Sequence, residues 1–149
     1  MTTRARRIAW LIFLGYGVAV LFIALWPTPV NQPFDTQLQR FLDWVHREGV
    51  PQQVNYTFVE ASANMLLFVP FGALVALLSA ERLWWVCVVF GLTLSLSIEL
   101  GQYLFLPQRY ATASDILANT SGALLGGGIV AVVRWWEHAR QIRADASET

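Results

Sequence analysis

Four long apolar stretches divide the chain, and each is long enough to cross a lipid bilayer as a helix. They cover about residues 8–26, 60–80, 83–106 and 116–134. A hydrocarbon core about 30 Å thick requires roughly 20 helical residues, since each residue adds about 1.5 Å. The apolar residues are continuous and do not alternate with polar ones, which argues against a β-barrel. The pattern therefore predicts an all-α fold, a single domain that forms an integral membrane bundle of four transmembrane helices.

The segment between the first two spans, residues 27–59, contains an amphipathic stretch. Its apolar side chains recur at helical spacing, and they are Phe34, Leu38, Phe41, Trp44 and Val45. Asp35 is a candidate cap at the start of this helix and Gly49 a candidate stop. We expect a helix that lies on the outer membrane surface or folds over the bundle. A packing helix without a functional role fits the same pattern.

The distribution of arginine predicts the orientation of the bundle. Lys is absent, so every basic side chain apart from histidine is an arginine. If the N-terminus is cytoplasmic, seven arginines lie inside, namely Arg4, Arg6, Arg7, Arg82, Arg134, Arg140 and Arg143. Three lie outside, namely Arg40, Arg47 and Arg109. Cytoplasmic loops carry the excess of basic residues. Both termini are therefore predicted to be cytoplasmic, with segment 27–59 outside and a polar, fraying tail at 137–149 inside.

Composition supports a membrane location and narrows the chemistry. The chain is 56% hydrophobic and 13% charged, whereas soluble domains carry about 25% charged residues. Its net charge is zero and it has no basic stripe, so we expect no nucleic-acid partner. The single cysteine, Cys87, excludes an internal disulfide, and two histidines are too few for a metal cluster. We expect membrane lipids as partners and neither a metal nor a cofactor.

Several polar residues interrupt the last three spans. An acidic side chain at the bilayer centre costs about 2.5–3.5 kcal/mol on insertion scales, so each one requires an explanation. In the predicted topology all of these residues fall in the outer third of the bundle. We predict that they surround one outward-facing polar pocket that binds a ligand: Glu60, Asn64, Glu99, Gln102, Arg109, Asp115 and Asn119.

A purely structural interpretation of these residues stays open. Polar side chains can hold membrane helices together, and Asp115 fits an N-cap of the fourth helix. Glu99 lies well inside its span and has no capping role, although it could pair with Arg109. Four residues are candidates for helix packing, and they are Pro70, Gly72, Gly122 and Gly126. Pro70 is expected to kink its helix, whereas Gly122 and Gly126 are expected to line a close contact within the bundle or at a dimer interface.

Three sequence blocks carry a family resemblance. Residues Asn64–Gly72 match N-x-x-L-F-x-P-x-G, and Ser95–Gln102 match S-x-x-I-E-x-x-Q. Residues Arg109–Gly126 match R-x5-D-x-x-x-N-x-x-G-x-x-x-G. Together, over about residues 60–133, the chain resembles the VanZ-like family of small bacterial integral membrane proteins. The resemblance implies a link to resistance to the glycopeptide antibiotic teicoplanin, and it implies no established reaction.

Three functions compete at this point. The first is a non-enzymatic membrane protein whose polar pocket binds a lipid or cell-envelope precursor headgroup, or modulates the access of a teicoplanin-type antibiotic. The second is an enzyme that acts on a polyprenyl-phosphate-type lipid, although Arg109 is the one cation predicted at that depth. The third is a small proton-coupled transporter, although inverted repeats are not visible. We favour the first function. The oligomeric state, including a homo-oligomer, stays open.

Overall fold

The computed structural model describes residues 3–26, 35–106 and 112–147. Within these ranges the chain is helical and contains no strand. The helices are α1 (Thr3–Ala24), α2 (Asp35–Arg47), α3 (Tyr56–Leu78), α4 (Val86–Phe105) and α5 (Ala113–Ser147). All except α2 are long and apolar enough to span a membrane. The predicted all-α bundle of four transmembrane helices, with an additional amphipathic segment, is therefore confirmed.

The contacts between helices define their directions. α1 and α3 are antiparallel, because the ring centroids of Phe13 and Phe71 lie 5.5 Å apart while the Tyr16 hydroxyl donates to the carbonyl oxygen of Leu67 at 2.7 Å. α4 and α5 are also antiparallel, since Gly91 and Ala123 are in contact one turn from the contact between Cys87 and Gly127. α3 and α5 run parallel and pack more closely than any other described pair. The start of α1 and the end of α5 consequently lie at the same end of the bundle.

Glycines form the contact between α3 and α5, which we call the glycine seam (Gly72, Gly122 and Gly126). A Cβ atom at Gly122 would overlap the carbonyl oxygen of Met65, and one at Gly126 would overlap the carbonyl oxygen of Val69. A Cβ atom at Gly72 would lie 2.5 Å from Cα of Ala123. Small residues let membrane helices approach closely enough for backbone contact. These glycines therefore pack within the bundle itself.

Pro70 has a different place from the one predicted. It is exposed, and α3 continues through it from Tyr56 to Leu78 as one helix. Its ring faces away from the glycine seam, because the buried residues of this stretch are its neighbours Phe68, Phe71 and Gly72. Pro70 therefore does not contribute to the buried core of the described bundle, and a packing role for it stays a prediction. In this region α1 and α3 are joined by the Tyr16 hydroxyl and by the contact between Phe13 and Phe71.

Two helices begin earlier than the hydropathy predicted. α3 starts at Tyr56, because the Asn55 side chain caps it and accepts a hydrogen bond from the Phe58 amide at 3.0 Å. α5 starts at Ala113. In contrast, α4 starts at Val86, three residues after the predicted boundary, because a short 3-10 turn occupies Glu81–Leu83. The first turns of α3 and α5 contain polar residues, so hydropathy alone places the start of each helix too late.

The C-terminal tail also differs from the prediction. The segment 137–149 was expected to fray, but α5 continues through it as far as Ser147. The segment from 135 to 147 contains neither glycine nor proline, and it has three alanines and two arginines, residues with high helix propensity. α5 is therefore one helix of 35 residues, considerably longer than a bilayer requires.

α2 is the amphipathic helix predicted between the first two spans. It ends at Arg47, and Gly49 follows with a φ of 96°, a left-handed conformation that favours glycine. Leu42 on one face is buried, whereas Phe41 and Trp44 are more than half exposed, with ring centroids 6.0 Å apart. α2 packs against α3. It thus keeps an aromatic face that the described part of the bundle does not cover.

Candidate functional site

Four polar residues meet at the end of the bundle where α4 ends and α5 begins, and we call this set the terminal rung (Asn64, Glu99, Thr112 and Asp115). The Asn64 amide donates to Asp115 Oδ1 at 2.9 Å. The Thr112 hydroxyl donates to Asp115 Oδ2 at 2.7 Å, and the Thr112 backbone N–H donates to Glu99 Oε2 at 3.0 Å. The terminal rung therefore joins α3, α4 and α5 through two carboxylates.

Thr112 is the N-cap of α5. Its hydroxyl oxygen accepts a hydrogen bond from the Asp115 backbone N–H at 3.2 Å, three residues later. The alternative in which Asp115 itself caps α5 is wrong, because Asp115 is the third residue of the helix. Its carboxylate is consequently free of the capping role and reaches α3 and Thr112 instead. A negative charge in this first turn is also favoured by the helix dipole.

A second pair of polar residues lies one helical turn deeper, and we call it the inner rung (Ser95 and Asn119). Ser95 precedes Glu99 by four residues on α4, and Asn119 follows Asp115 by four on α5. The Asn119 amide donates to Ser95 Oγ at 2.9 Å. Ser95 is fully buried and Asn119 is 5% exposed, yet Asn119 Oδ1 has no hydrogen-bond partner among the described residues. The polar contacts thus continue into the bundle.

Gln102 is buried beside this region but makes a different contact. Its amide donates to the Ala24 carbonyl oxygen at the end of α1, at 2.9 Å. That carbonyl belongs to the last turn of a helix, where backbone oxygens have no partner within the helix. Gln102 therefore ties α1 to α4, and its observed bond is structural.

Two further predicted site residues are not part of either rung. Glu60 lies one turn before Asn64 on α3 and is exposed. Arg109 lies outside the described residues, so the predicted pairing with Glu99 stays a prediction. Of the seven residues predicted for the site, the rungs contain four: Asn64, Glu99, Asp115 and Asn119.

The chain was compared with models of known protein families. The VanZ/LLP1 family model matches residues 7–134. The chain belongs to the VanZ/LLP1 family. The match includes α1 and α2, for which the sequence offered no recognisable family block. Comparisons with curated proteins and with solved structures find no match.

Three residues that matter to this VanZ/LLP1 bundle were missed in the sequence. Thr112 had a usable signal, because Thr112 and Asp115 have the spacing of a capping box directly before an apolar run. Ser95 lies within a family block, but its contact with Asn119 on α5 was not predicted, since a serine in a membrane helix can bond to its own backbone. Tyr16 gave no signal, because its bond to Leu67 depends on how α1 packs.

The terminal rung offers fixed hydrogen-bond acceptors. A carboxylate has about four acceptor positions on its two oxygens. Asp115 is half-buried, and its carboxylate receives one hydrogen bond from Asn64 and one from Thr112, both neutral donors. Its orientation is therefore set, while part of its acceptor capacity is not used by these two donors. Such a group can bind hydroxyl or ammonium donors of a ligand.

Proposed function

We propose that this protein lies in the cell membrane with both termini cytoplasmic. The support is the excess of arginine at the end of the bundle that contains the start of α1 and the end of α5. In this orientation the terminal rung faces the outer leaflet. The amphipathic helix α2 then lies on the outer side as well.

We further propose that the terminal rung binds the headgroup of a lipid or of a cell-envelope precursor. The observation that carries this proposal is the position of the Asp115 carboxylate beside Glu99. The neutral side chains of Asn64 and Thr112 hold it between α3 and α5, with hydrogen bonds of 2.9 and 2.7 Å. If these groups served only to hold helices together, apolar side chains of similar volume would do so without the cost of desolvating a charge. Fixed charges at a membrane surface are better explained by a ligand.

The expected ligand follows from the charge of the site. Two carboxylates favour a headgroup that offers hydroxyl or amine hydrogens. Arg109, three residues before Thr112 in the sequence, is the cation that would contact a phosphate or carboxylate of the same headgroup. Because the family resemblance implies a link to teicoplanin, we propose that occupancy of this site modulates antibiotic access to envelope precursors.

The orientation can be tested by labelling single cysteines. Cys87 is fully buried and can be replaced by alanine, and cysteines can then be introduced at the exposed positions Thr36 and Asp145. A membrane-impermeant maleimide applied to intact cells is expected to label position 36 and not position 145. Labelling of position 145 alone would reverse the topology and place the terminal rung inside.

Binding can be tested by native mass spectrometry of protein extracted from its own membranes. Asp115→Asn is expected to reduce the retained lipid about tenfold, because a hydrogen bond to a charged group contributes about 1.5–3 kcal/mol. Glu81→Gln is the control, since Glu81 is an exposed acid of the short turn before α4. Equal retention by all three proteins would contradict the proposal. Chemical conversion of the retained lipid by the purified protein would instead favour the alternative function, an enzyme that acts on a polyprenyl-phosphate-type lipid.

The antibiotic role requires a separate measurement. Expression of the wild-type protein in a susceptible bacterium is expected to raise the inhibitory concentration of teicoplanin, and Asp115→Asn is expected to remove this effect. Comparable amounts of both proteins in the membrane must be shown on a blot. A variant that retains lipid as the wild type does, but confers no tolerance, would separate binding from antibiotic access.

A further inference from the structure

The inner rung has hydrogen-bond capacity that the described protein groups do not use. Ser95 Oγ accepts the Asn119 N–H and still carries its own proton. On the same helix, the Thr93 and Ser97 hydroxyls donate to backbone carbonyl oxygens four residues earlier, each at 2.8 Å. Among the described residues, no acceptor is found for the Ser95 proton. Ser95 thus differs from its neighbours in more than burial.

The unused capacity does not depend on how the Asn119 amide is turned. As placed, Nδ2 donates to Ser95 and Oδ1 is buried without a partner. With the amide reversed, Oδ1 would accept the Ser95 proton and Nδ2 would be left unmatched. In either arrangement one end of a nearly buried amide is unsatisfied, which is unfavourable in the absence of a partner. A partner that can both donate and accept satisfies either arrangement.

We propose that Ser95 and Asn119 form a binding site for one hydroxyl group. A hydroxyl can donate to the unpaired Asn119 oxygen and accept the Ser95 proton, whereas an ammonium can only donate and a carbonyl can only accept. The hydroxyl belongs either to a water molecule or to a ligand headgroup that reaches past the terminal rung. The second source rests on the proposed headgroup binding and makes the inner rung its deepest contact.

The position of the rung fits this role. Asn119 and Ser95 each lie four residues, or about 6 Å along the helix axis, deeper than Asp115 and Glu99. A headgroup held by the two carboxylates could therefore place one hydroxyl one turn further in. The inner rung would then discriminate between headgroups that carry such a hydroxyl and those that do not.

Solid-state NMR on asparagine-labelled protein tests the proposal directly. The chain has four asparagines, at 31, 55, 64 and 119, and the Asn119→Leu variant identifies the signal of residue 119. One sample uses phosphatidylcholine vesicles in ordinary water, and magnetisation transfer is measured from water to the Asn119 amide. A second sample uses vesicles of phosphatidylcholine and phosphatidylglycerol in equal parts, prepared in heavy water. Transfer is then measured from the carbon-bound protons of the glycerol headgroup to the Asn119 amide.

Transfer from water in the first sample supports a bound water, and transfer from glycerol in the second supports a headgroup hydroxyl. Ser95→Ala is expected to reduce the transfer severalfold, whereas Ser97→Ala, the matched control on the same helix, is expected to leave it unchanged. Absence of transfer to Asn119 from both sources would overturn the proposal. If that result accompanied lipid retention that depends on Asp115, the inner site would fall and the proposed function would stand. Transfer from water without lipid retention would support the inner site and contradict the proposed headgroup binding.

Discussion

α5 makes two kinds of contact with its neighbours, one through glycines and one through polar side chains. In the glycine seam the backbones of α3 and α5 touch, because glycine has no side chain, and Gly126 lies against Val69 and Ala73. The two rungs occupy the first two turns of the same helix and consist of polar side chains, with Asp115 and Asn119 as their α5 members. Both kinds of contact bring helices together, but only the rungs place charge and unused hydrogen-bond capacity inside the bundle.

The difference separates packing from chemistry. The seam is explained by close approach alone, since every glycine in it meets a neighbouring backbone. An interhelical hydrogen bond in a membrane contributes only about 0.6 kcal/mol on average, so helix association alone does not explain the polar groups of the rungs. We expect the two carboxylates and the unmatched Asn119 oxygen to serve a ligand. Mutations in the two kinds of contact should therefore fail in different ways.

The largest expected effect is on the seam. Gly126→Leu is expected to prevent stable folding, because even the first added atom would overlap the Val69 carbonyl oxygen and lie 2.7 Å from the Ala73 nitrogen. Overpacking typically costs about 1–3 kcal/mol, and here rigid backbone raises the cost. The measurement is the midpoint of thermal unfolding in detergent. Gly128→Leu is the control, since a Cβ atom there has no neighbour within 4 Å. Equal midpoints for the two variants would contradict the packing.

A smaller effect is expected from breaking the terminal rung. Asp115→Leu leaves the half-buried Asn64 amide without its acceptor and removes one acceptor of the Thr112 hydroxyl, which also lies 2.9 Å from Ser114 Oγ. An unsatisfied buried donor costs about 1–3 kcal/mol, and partial exposure to solvent lowers that cost. Adding Asn64→Leu removes one of these donors. The double variant is therefore expected to lose less stability than the sum of the single variants, by about 1 kcal/mol. Strict additivity would show that the two side chains do not interact.

The smallest effect is expected at Gln102. Gln102→Leu removes one hydrogen bond to the Ala24 carbonyl oxygen and should cost about 0.6 kcal/mol. Because this bond anchors α1, protection of the α1 amides against hydrogen exchange should fall while that of α5 stays unchanged. Lipid retention should also be unaffected, since Gln102 is assigned to structure and not to the ligand. A loss of lipid as large as that of Asp115→Asn would return Gln102 to the binding site.

Hydropathy and spacing predicted much of this molecule. The four spans follow from bilayer thickness, and the meeting of Asn64, Glu99, Asp115 and Asn119 at one end follows from helices that alternate in direction. The starts of α3 and α5 were missed because capping by Asn55 and Thr112 is a local polar effect that hydropathy does not register. The helical tail up to Ser147 was missed because polarity was taken for disorder.

The partners of individual side chains were harder to predict than their depth. Depth depends on the position along a helix, whereas a partner depends on rotation of that helix about its axis. Gln102 and Glu99 are three residues apart, yet Gln102 reaches α1 and Glu99 reaches Thr112. Pro70 shows the same limit, because a family block marks the residue without showing that its ring faces outward.

The central claim, that the terminal rung is a headgroup site and not only a helix contact, is tested most directly by an experimental structure in nanodiscs made from native lipids. An antibody fragment would supply the size that electron microscopy requires. We expect a lipid or precursor headgroup within hydrogen-bonding distance of the Asp115 and Glu99 carboxylates. A map in which both carboxylates contact protein groups alone, with ordered headgroups only at the opposite end of the bundle, would contradict it.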